Sequence, residues 1–165
     1  MKRRTAEIHL EMLMKNVRKY NANAFMPYMF SDIVVFGSFV NNPERPMLSD
    51  LDIGFKLVKR YDGEAFDAAY KIGMETAMTE MEVLAKYPDH QYDQEDEHNI
   101  CDEYALKFIK HGSTYVSLHR IGDDPNEGEN PYIFNKKIQR MDVGEVARLP
   151  DEEMIAYGEE EDYDD

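Results

Sequence analysis

Ile33-Val34-Val35-Phe36-Gly37-Ser38, followed by Ser49-Asp50-Leu51-Asp52-Ile53-Gly54-Phe55, is the stretch that decides how this chain folds. A run of β-branched and aromatic residues that stops at Gly37-Ser38 reads as a strand, a tight turn and a helix start. The second segment reads as a strand with carboxylates two positions apart. Side chains alternate across a strand, so Asp50 and Asp52 are expected on one face and Leu51 and Ile53 in the core. Neighbouring carboxylates repel each other unless a cation lies between them. A hard divalent ion such as Mg²⁺ suits ligands that are all oxygen, and it carries substrate phosphates as further ligands. Gly37 and Ser38 offer backbone N–H groups and a hydroxyl at an expected helix start, a cradle for phosphate. A metal at one end and phosphate at the other point to nucleotide chemistry.

Gly-Ser, a spacer of about ten residues and then Asp-x-Asp, here Gly37-Ser38 and Ser49-Asp50-Leu51-Asp52, resembles the signature of the DNA polymerase beta-like nucleotidyltransferase superfamily. Within it, the short chain is similar to the minimal nucleotidyltransferases, including antitoxin-type members of toxin–antitoxin pairs that transfer AMP to a partner protein. The resemblance spans roughly residues 5–141. It implies an α/β (α+β) fold, a small mixed sheet of three or more strands flanked by helices. It also implies that Gly37 and Ser38 hold the triphosphate of ATP or another NTP, while Asp50 and Asp52 bind Mg²⁺ or Mn²⁺. Ser49, which sets up the second strand, and Lys56, which alternates onto the face of the two acids, are the further nucleotide-binding candidates. Lys56 equally fits the point where the strand meets solvent. Arg45, in the spacer, reads as a phosphate contact or as a solvated loop charge.

The chain of 165 residues suits one domain with a substantial core. No apolar run approaches the length of a bilayer span, and Met1-Lys2-Arg3-Arg4-Thr5 lacks the apolar segment of a secretory signal. The single cysteine, Cys101, reads as a small buried hydrophobe and suits a reducing cytoplasm. A formal charge of −15 repels nucleic acid over most of the surface and favours a small-molecule substrate or a basic protein partner. Much of that charge lies in 89–103 and 151–165.

Thr5 is expected to cap a helix to about Tyr20, with Leu10, Leu13, Met14 and Val17 on its inner stripe. Phe25-Met26-Pro27-Tyr28 reads as an irregular connection, Ile33–Phe36 as the first strand and Asp50–Val58 as the second. Gly63 to about Tyr87 has the period of a long amphipathic helix. Asp89 to His98 is polar and acidic without metal-ligand spacing, so it reads as a solvated insertion. Ile100–His111 reads as a helix, with a strand over Ala105–Lys110 as the rival, and Thr114–Arg120 as the third strand. Tyr132–Arg140 reads as a closing helix with Ile133, Phe134 and Ile138 inward. The domain is then 1–148, and 149–165 is an acidic, flexible tail in which Met154, Ile155 and Tyr157 alone have docking side chains.

Active members of the resembled family carry a third acid on the strand after the long helix, which completes the metal site and draws the proton from the attacking hydroxyl. Laying that pattern on Val116-Ser117-Leu118 puts Ser117 at the acid's place. His119 shares its face as a base or ligand, and Asp102 or Glu103 are the fallback acids. Two functions follow. One is Mg²⁺-dependent transfer of a nucleoside monophosphate, AMP from ATP by family analogy, to a hydroxyl of a protein or small-molecule acceptor, with Asp50, Asp52, Ser117 and His119 as the catalytic set. The other is a catalytically impaired module of the same fold that docks a basic partner through its acidic surface and tail.

Overall fold

Leu10, Leu13, Met14 and Val17 form the buried stripe of α1 (Arg3–Asn21), as their helical spacing requires. The computed structural model describes residues 1–81, 94–121 and 137–162, with side-chain burial over 1–81, 100–121 and 137–159. After α1 come β1 (Tyr28–Phe36), the single turn α2 (Ser38–Asn41), β2 (Leu51–Lys59) and α3 (Gly63–Glu80). They are followed by α4 (Gln94–Lys110), β3 (Val116–Arg120), β4 (Gln139–Arg140) and α5 (Asp151–Asp162). The strands make one mixed sheet in the order β3-β2-β1-β4. β1 runs antiparallel to both β2 and β4, while β2 and β3 are parallel. The chain is therefore an α+β protein with a small mixed sheet flanked by helices, the expected fold class.

Strand alternation divides the sheet into two unlike faces. Ile33, Val35, Leu51, Ile53, Phe55 and Val116 are buried against α1 and against Ala105 and Ile109 of α4. The opposite face carries Asp32, Val34 and Phe36 of β1, Asp52, Gly54 and Lys56 of β2, and Ser117 and His119 of β3. Its apolar content among the described residues is small: Val34, Phe36 and Ile121, with Ile138 packed against them. One face thus holds the fold together and the other is left for polar side chains.

Two buried polar residues lock the end of the sheet remote from Gly37. The Asn21 amide accepts from the Phe30 N–H and donates to the Phe30 carbonyl, both at 2.9 Å, where β1 bulges between Phe30 and Asp32. Arg60, 2% exposed, donates to the carbonyls of Tyr20, Asn21, Met26, Tyr28 and Ala147. Tyr20 and Asn21 end α1, so the guanidinium meets carbonyls that a helix terminus leaves without partners. Burial lowers the Arg60 pKa from its ordinary value.

Several boundaries differ from the sequence reading. α1 starts at Arg3 with Lys2 as its cap, not at Thr5, because Lys2 is bridged to Met47 and the Met1 amine donates to the Leu48 carbonyl at 2.7 Å. β1 begins at Tyr28 rather than Ile33, immediately after Pro27, and β2 begins at Leu51. α4 starts at Gln94, inside the acidic run, and its helical 105–110 segment removes the strand alternative. Gln139 and Arg140 pair with Val35 and Val34 as β4, so the closing helix does not reach Arg140; its 132–136 part lies outside the described residues. The extension of α3 toward Tyr87 and the acidic residues 89–93 lie there too.

The tail also departs from expectation. Residues 151–162 form α5 instead of a flexible segment, because Met154 is fully buried among Tyr61, Ala65 and Ala69. Tyr157 meets the Phe25 ring edge-on, with centroids 5.1 Å apart. A Cβ on Gly158 would stand 2.7 Å from the Ala68 Cβ, so the two helices are in close contact there.

Candidate functional site

The pairing of β1 with β2 brings Phe36 opposite Asp52, which places the Gly37 turn against the Asp52 side chain. Gly37 has φ 78° and ψ −156°, a conformation open essentially to glycine alone. A Cβ at this position would overlap Oδ2 of Asp52 and lie 3.3 Å from its Cγ. The glycine therefore serves both the turn and the approach of backbone to carboxylate. The Gly37 carbonyl accepts from the Val40 and Asn41 N–H groups, which closes α2 and fixes Ser38 at its first position.

Arg3 holds the loop beyond α2, a role the sequence reading missed. Its guanidinium donates to the carbonyls of Phe39 at 3.1 Å, Asn42 at 2.8 Å and Arg45 at 3.3 Å. It also stacks on the Phe39 ring, 4.9 Å from the centroid. The one available signal was the basic cluster Lys2-Arg3-Arg4 at the head of an amphipathic helix, which solvation explains as well. Arg45 itself is exposed, and with Asn41, Asn42, Pro43 and Glu44 it lines an open depression of about 560 Å³.

From the other side, β3 supplies two side chains. Ser117 is the register partner of Asp52, and His119 that of Gly54. The His119 Nε2 lies 3.1 Å from the Ser117 Oγ and 3.6 Å from the Asp52 Oδ1, and its ring packs edge-on against Phe36 with centroids 5.3 Å apart. Both partners use the same ring nitrogen, so these residues do not form the two-ended relay of a nucleophilic triad. Burial raises the pKa of Asp52; His119 counters this through its charge and hydrogen bond, and the nearby charge of Asp50 adds to the rise.

Gly37, Asp52, Ser117 and His119 are thus gathered in one place, with Asp50 close enough for its charge to be felt. Asp50 and Ser49 sit in the exposed turn before β2, which corrects the expectation that both acids lie within the strand. Lys56 is on the Asp52 face but four residues along it, about 13 Å at ordinary strand rise. It stands in register with Asp32, which Arg140 approaches to 3.6 Å. The fallback acids are elsewhere: Asp102 pairs with Arg120 at 3.2 Å, and that guanidinium lies over the Phe55 ring, on the core face of the sheet. Glu103 is exposed on α4. Among the described residues no three His, Cys, Asp or Glu side chains converge into a ready metal cage.

Fold and site define a small α+β domain whose polar sheet face presents a carboxylate, an imidazole and a hydroxyl beside a glycine turn. No protein-family model, curated protein or solved structure matches the chain. No helix among the described residues is long and apolar enough to cross a membrane.

Proposed function

We propose that this protein is a cytoplasmic, divalent-metal-dependent nucleotidyltransferase of the polymerase beta-like kind, moving AMP from ATP, or the monophosphate of another NTP, to a hydroxyl of a protein or small-molecule acceptor. The observation that carries the reading is the seating of the Gly37 turn directly on the Asp52 carboxylate, with Asp50 two residues earlier in the chain. A carboxylate that burial and a neighbouring acid both disfavour as an anion gains most from a cation. The oxygen donors of Asp50 and Asp52 fit Mg²⁺ or Mn²⁺, which when bound neutralises developing phosphate charge and activates a hydroxyl.

The chain's own part is positioning. The Gly37-Ser38 turn offers backbone and hydroxyl donors to phosphate oxygens, and Arg3 keeps the following loop in place through three backbone carbonyls. Attack by the acceptor hydroxyl oxygen on the α-phosphorus forms the new phosphoester, breaks the α–β anhydride and releases pyrophosphate, the hydroxyl proton passing to solvent. An acidic surface suits a cationic acceptor.

A second reading has its own support. Ser117 stands beside Asp52 where a carboxylate is expected, which favours a nucleotide-binding module that no longer turns its ligand over and instead docks a basic protein. Incubation with α-labelled NTPs and Mg²⁺ or Mn²⁺ separates the two. Label moving to a protein or small acceptor, and lost in Asp50→Ala/Asp52→Ala, supports transfer. Metal-dependent nucleotide binding without transfer supports the module, and absence of both refutes either reading.

A further inference from the structure

We propose that the cavity between α1 and the α4–β3 connection binds a small aliphatic carboxylic acid, an unbranched chain of about four to six carbons. The site is separate from the Gly37–Asp52 turn and does not depend on the nucleotide reading. The cavity measures about 220 Å³, room for about seven water-sized groups at about 30 Å³ each. Its inner wall is apolar: Leu13 of α1, Ile109 of α4 and Val116 of β3 line it and are at most 3% exposed. Met12, half-exposed on α1, lines it from the solvent side.

The polar part of the lining is rich in donors. α4 ends here, and the carbonyls of its last turn would repel an anion if left bare. They are taken. The Lys107 carbonyl accepts from the His111 N–H at 2.8 Å, that of Ile109 from the Asn16 amide at 3.2 Å, and that of Lys110 from the Ser113 N–H at 3.0 Å. The Ser113 hydroxyl accepts from the Tyr115 N–H at 3.3 Å and lies 3.2 Å from the His9 Nδ1. Its own hydrogen therefore goes to Nδ1, which keeps the ring proton of His9 on Nε2 as a further donor. Lys110 and His111 also line the cavity, and no acidic side chain pairs with either among the described residues. The chain carries 34 Asp and Glu against 19 Lys and Arg, yet none of the lining residues is acidic. A carboxylate is least opposed at such a place, since exposed charges farther away are screened. His111 is, moreover, the one non-glycine residue at positive φ among the described residues, at 45°. Glycine would fill that backbone position at less cost, so the imidazole is kept beside the cavity against a local preference.

Calorimetry and methyl NMR of the full-length protein, titrated with sodium butyrate at constant ionic strength, test this. Butanol and butylammonium chloride serve as the neutral and charge-reversed counterparts. Butyrate should bind at one saturable site, about millimolar or tighter, and shift the methyl resonances of Leu13, Ile109 and Val116. Butanol should bind at least about threefold more weakly and butylammonium more weakly still. Affinity should rise from acetate to hexanoate and level off at octanoate, whose chain exceeds the cavity. Lys110→Glu should cost about tenfold or more in butyrate affinity. His111→Gly should cost about threefold or more while leaving the melting temperature little changed, because glycine is at ease at φ 45°. Butyrate that leaves those methyls unmoved, equal binding of the three four-carbon compounds, or a steady rise through octanoate overturns the proposal. Unchanged butyrate affinity in both folded variants overturns it as well.

Discussion

Replacing Gly37 with alanine tests the contact on which the site depends. At φ 78° and ψ −156° an alanine is strained before any neighbour is considered, at about 1–3 kcal/mol. Its methyl carbon would also occupy the space of the Asp52 Oδ2. The Asp52 side chain is 32% exposed, so it relieves the overlap by swinging away rather than by shifting backbone. Most of the stability loss is therefore backbone strain, with a smaller overpacking contribution, about 2–4 kcal/mol together. For a domain of this size that lowers Tm by roughly 5–15 °C. The functional loss should be larger in proportion, because the displaced carboxylate leaves both the turn and His119, and divalent-ion binding should weaken about tenfold or more. Gly112→Ala is the control: Gly112 has φ 76°, yet nothing stands within 4 Å of its would-be Cβ. Calorimetric melting with Mn²⁺ titration of both variants gives the answer. Gly37→Ala that melts with Gly112→Ala and binds Mn²⁺ like wild type would refute the reasoning, since strain alone would then account for the change.

Ser117→Asp places a carboxylate in register with Asp52 and should raise divalent-ion affinity about tenfold, while costing about 1 kcal/mol of ion-free stability through repulsion; unchanged Mn²⁺ and Mg²⁺ titrations would count against the shared site. Arg60→Met leaves the carbonyls of Tyr20, Asn21, Met26, Tyr28 and Ala147 without their donor and should lower unfolding free energy by about 2–4 kcal/mol in urea. Arg60→Lys should recover little of it, because an ammonium cannot reproduce the guanidinium fork; full recovery would show that charge alone matters. Burial pushes the Tyr28 phenol from 10.0 up to about 12, and it raises Tyr20 as well. Folding favours the protonated phenols, so the Tyr28 contribution is complete below pH 10 and is lost as pH rises from 10 through 12, by roughly 3 kcal/mol, while that of Tyr20 persists to higher pH. Denaturant midpoints across pH 9–12 should fall in that window and fall less in Tyr28→Phe.

What the sequence made legible was local. Val34-Val35-Phe36-Gly37 and Leu51-Asp52-Ile53 announce two strands and a turn because alternation, β-branching and glycine each act within a few residues. The α1 stripe was equally readable. What escaped depends on contacts distant in sequence. Arg60 looks like the charged end of a strand until α1, β1 and the segment near Ala147 converge on it. Asn21 looks like a helix stop, and its second function, occupying both hydrogen-bonding groups of Phe30, requires the β1 bulge to exist. The two residues of β4 carry no pattern of their own and are held by pairing with Val34 and Val35 of β1. α5 was misread because composition outvoted position. Residues 149–165, rich in Asp and Glu, read as flexible, yet Met154 is buried with Tyr61, Ala65 and Ala69 and Tyr157 meets Phe25.

The surplus of acid and the burial of arginine are connected. Arg60 and Arg3 donate to backbone carbonyls rather than to carboxylates. Arg148 divides its donors between the Arg60 carbonyl and Asp151. Arg60 and Arg3 therefore give little short-range neutralisation to the 34 acidic side chains, although Arg4, Arg120, Arg140 and Arg148 each pair with one, and the field of the remainder is felt mainly at the surface. On the polar face of the sheet that field meets Asp52, which is held against a glycine turn and disfavoured as a bare anion by burial. Such a setting attracts small cations and repels free polyanions.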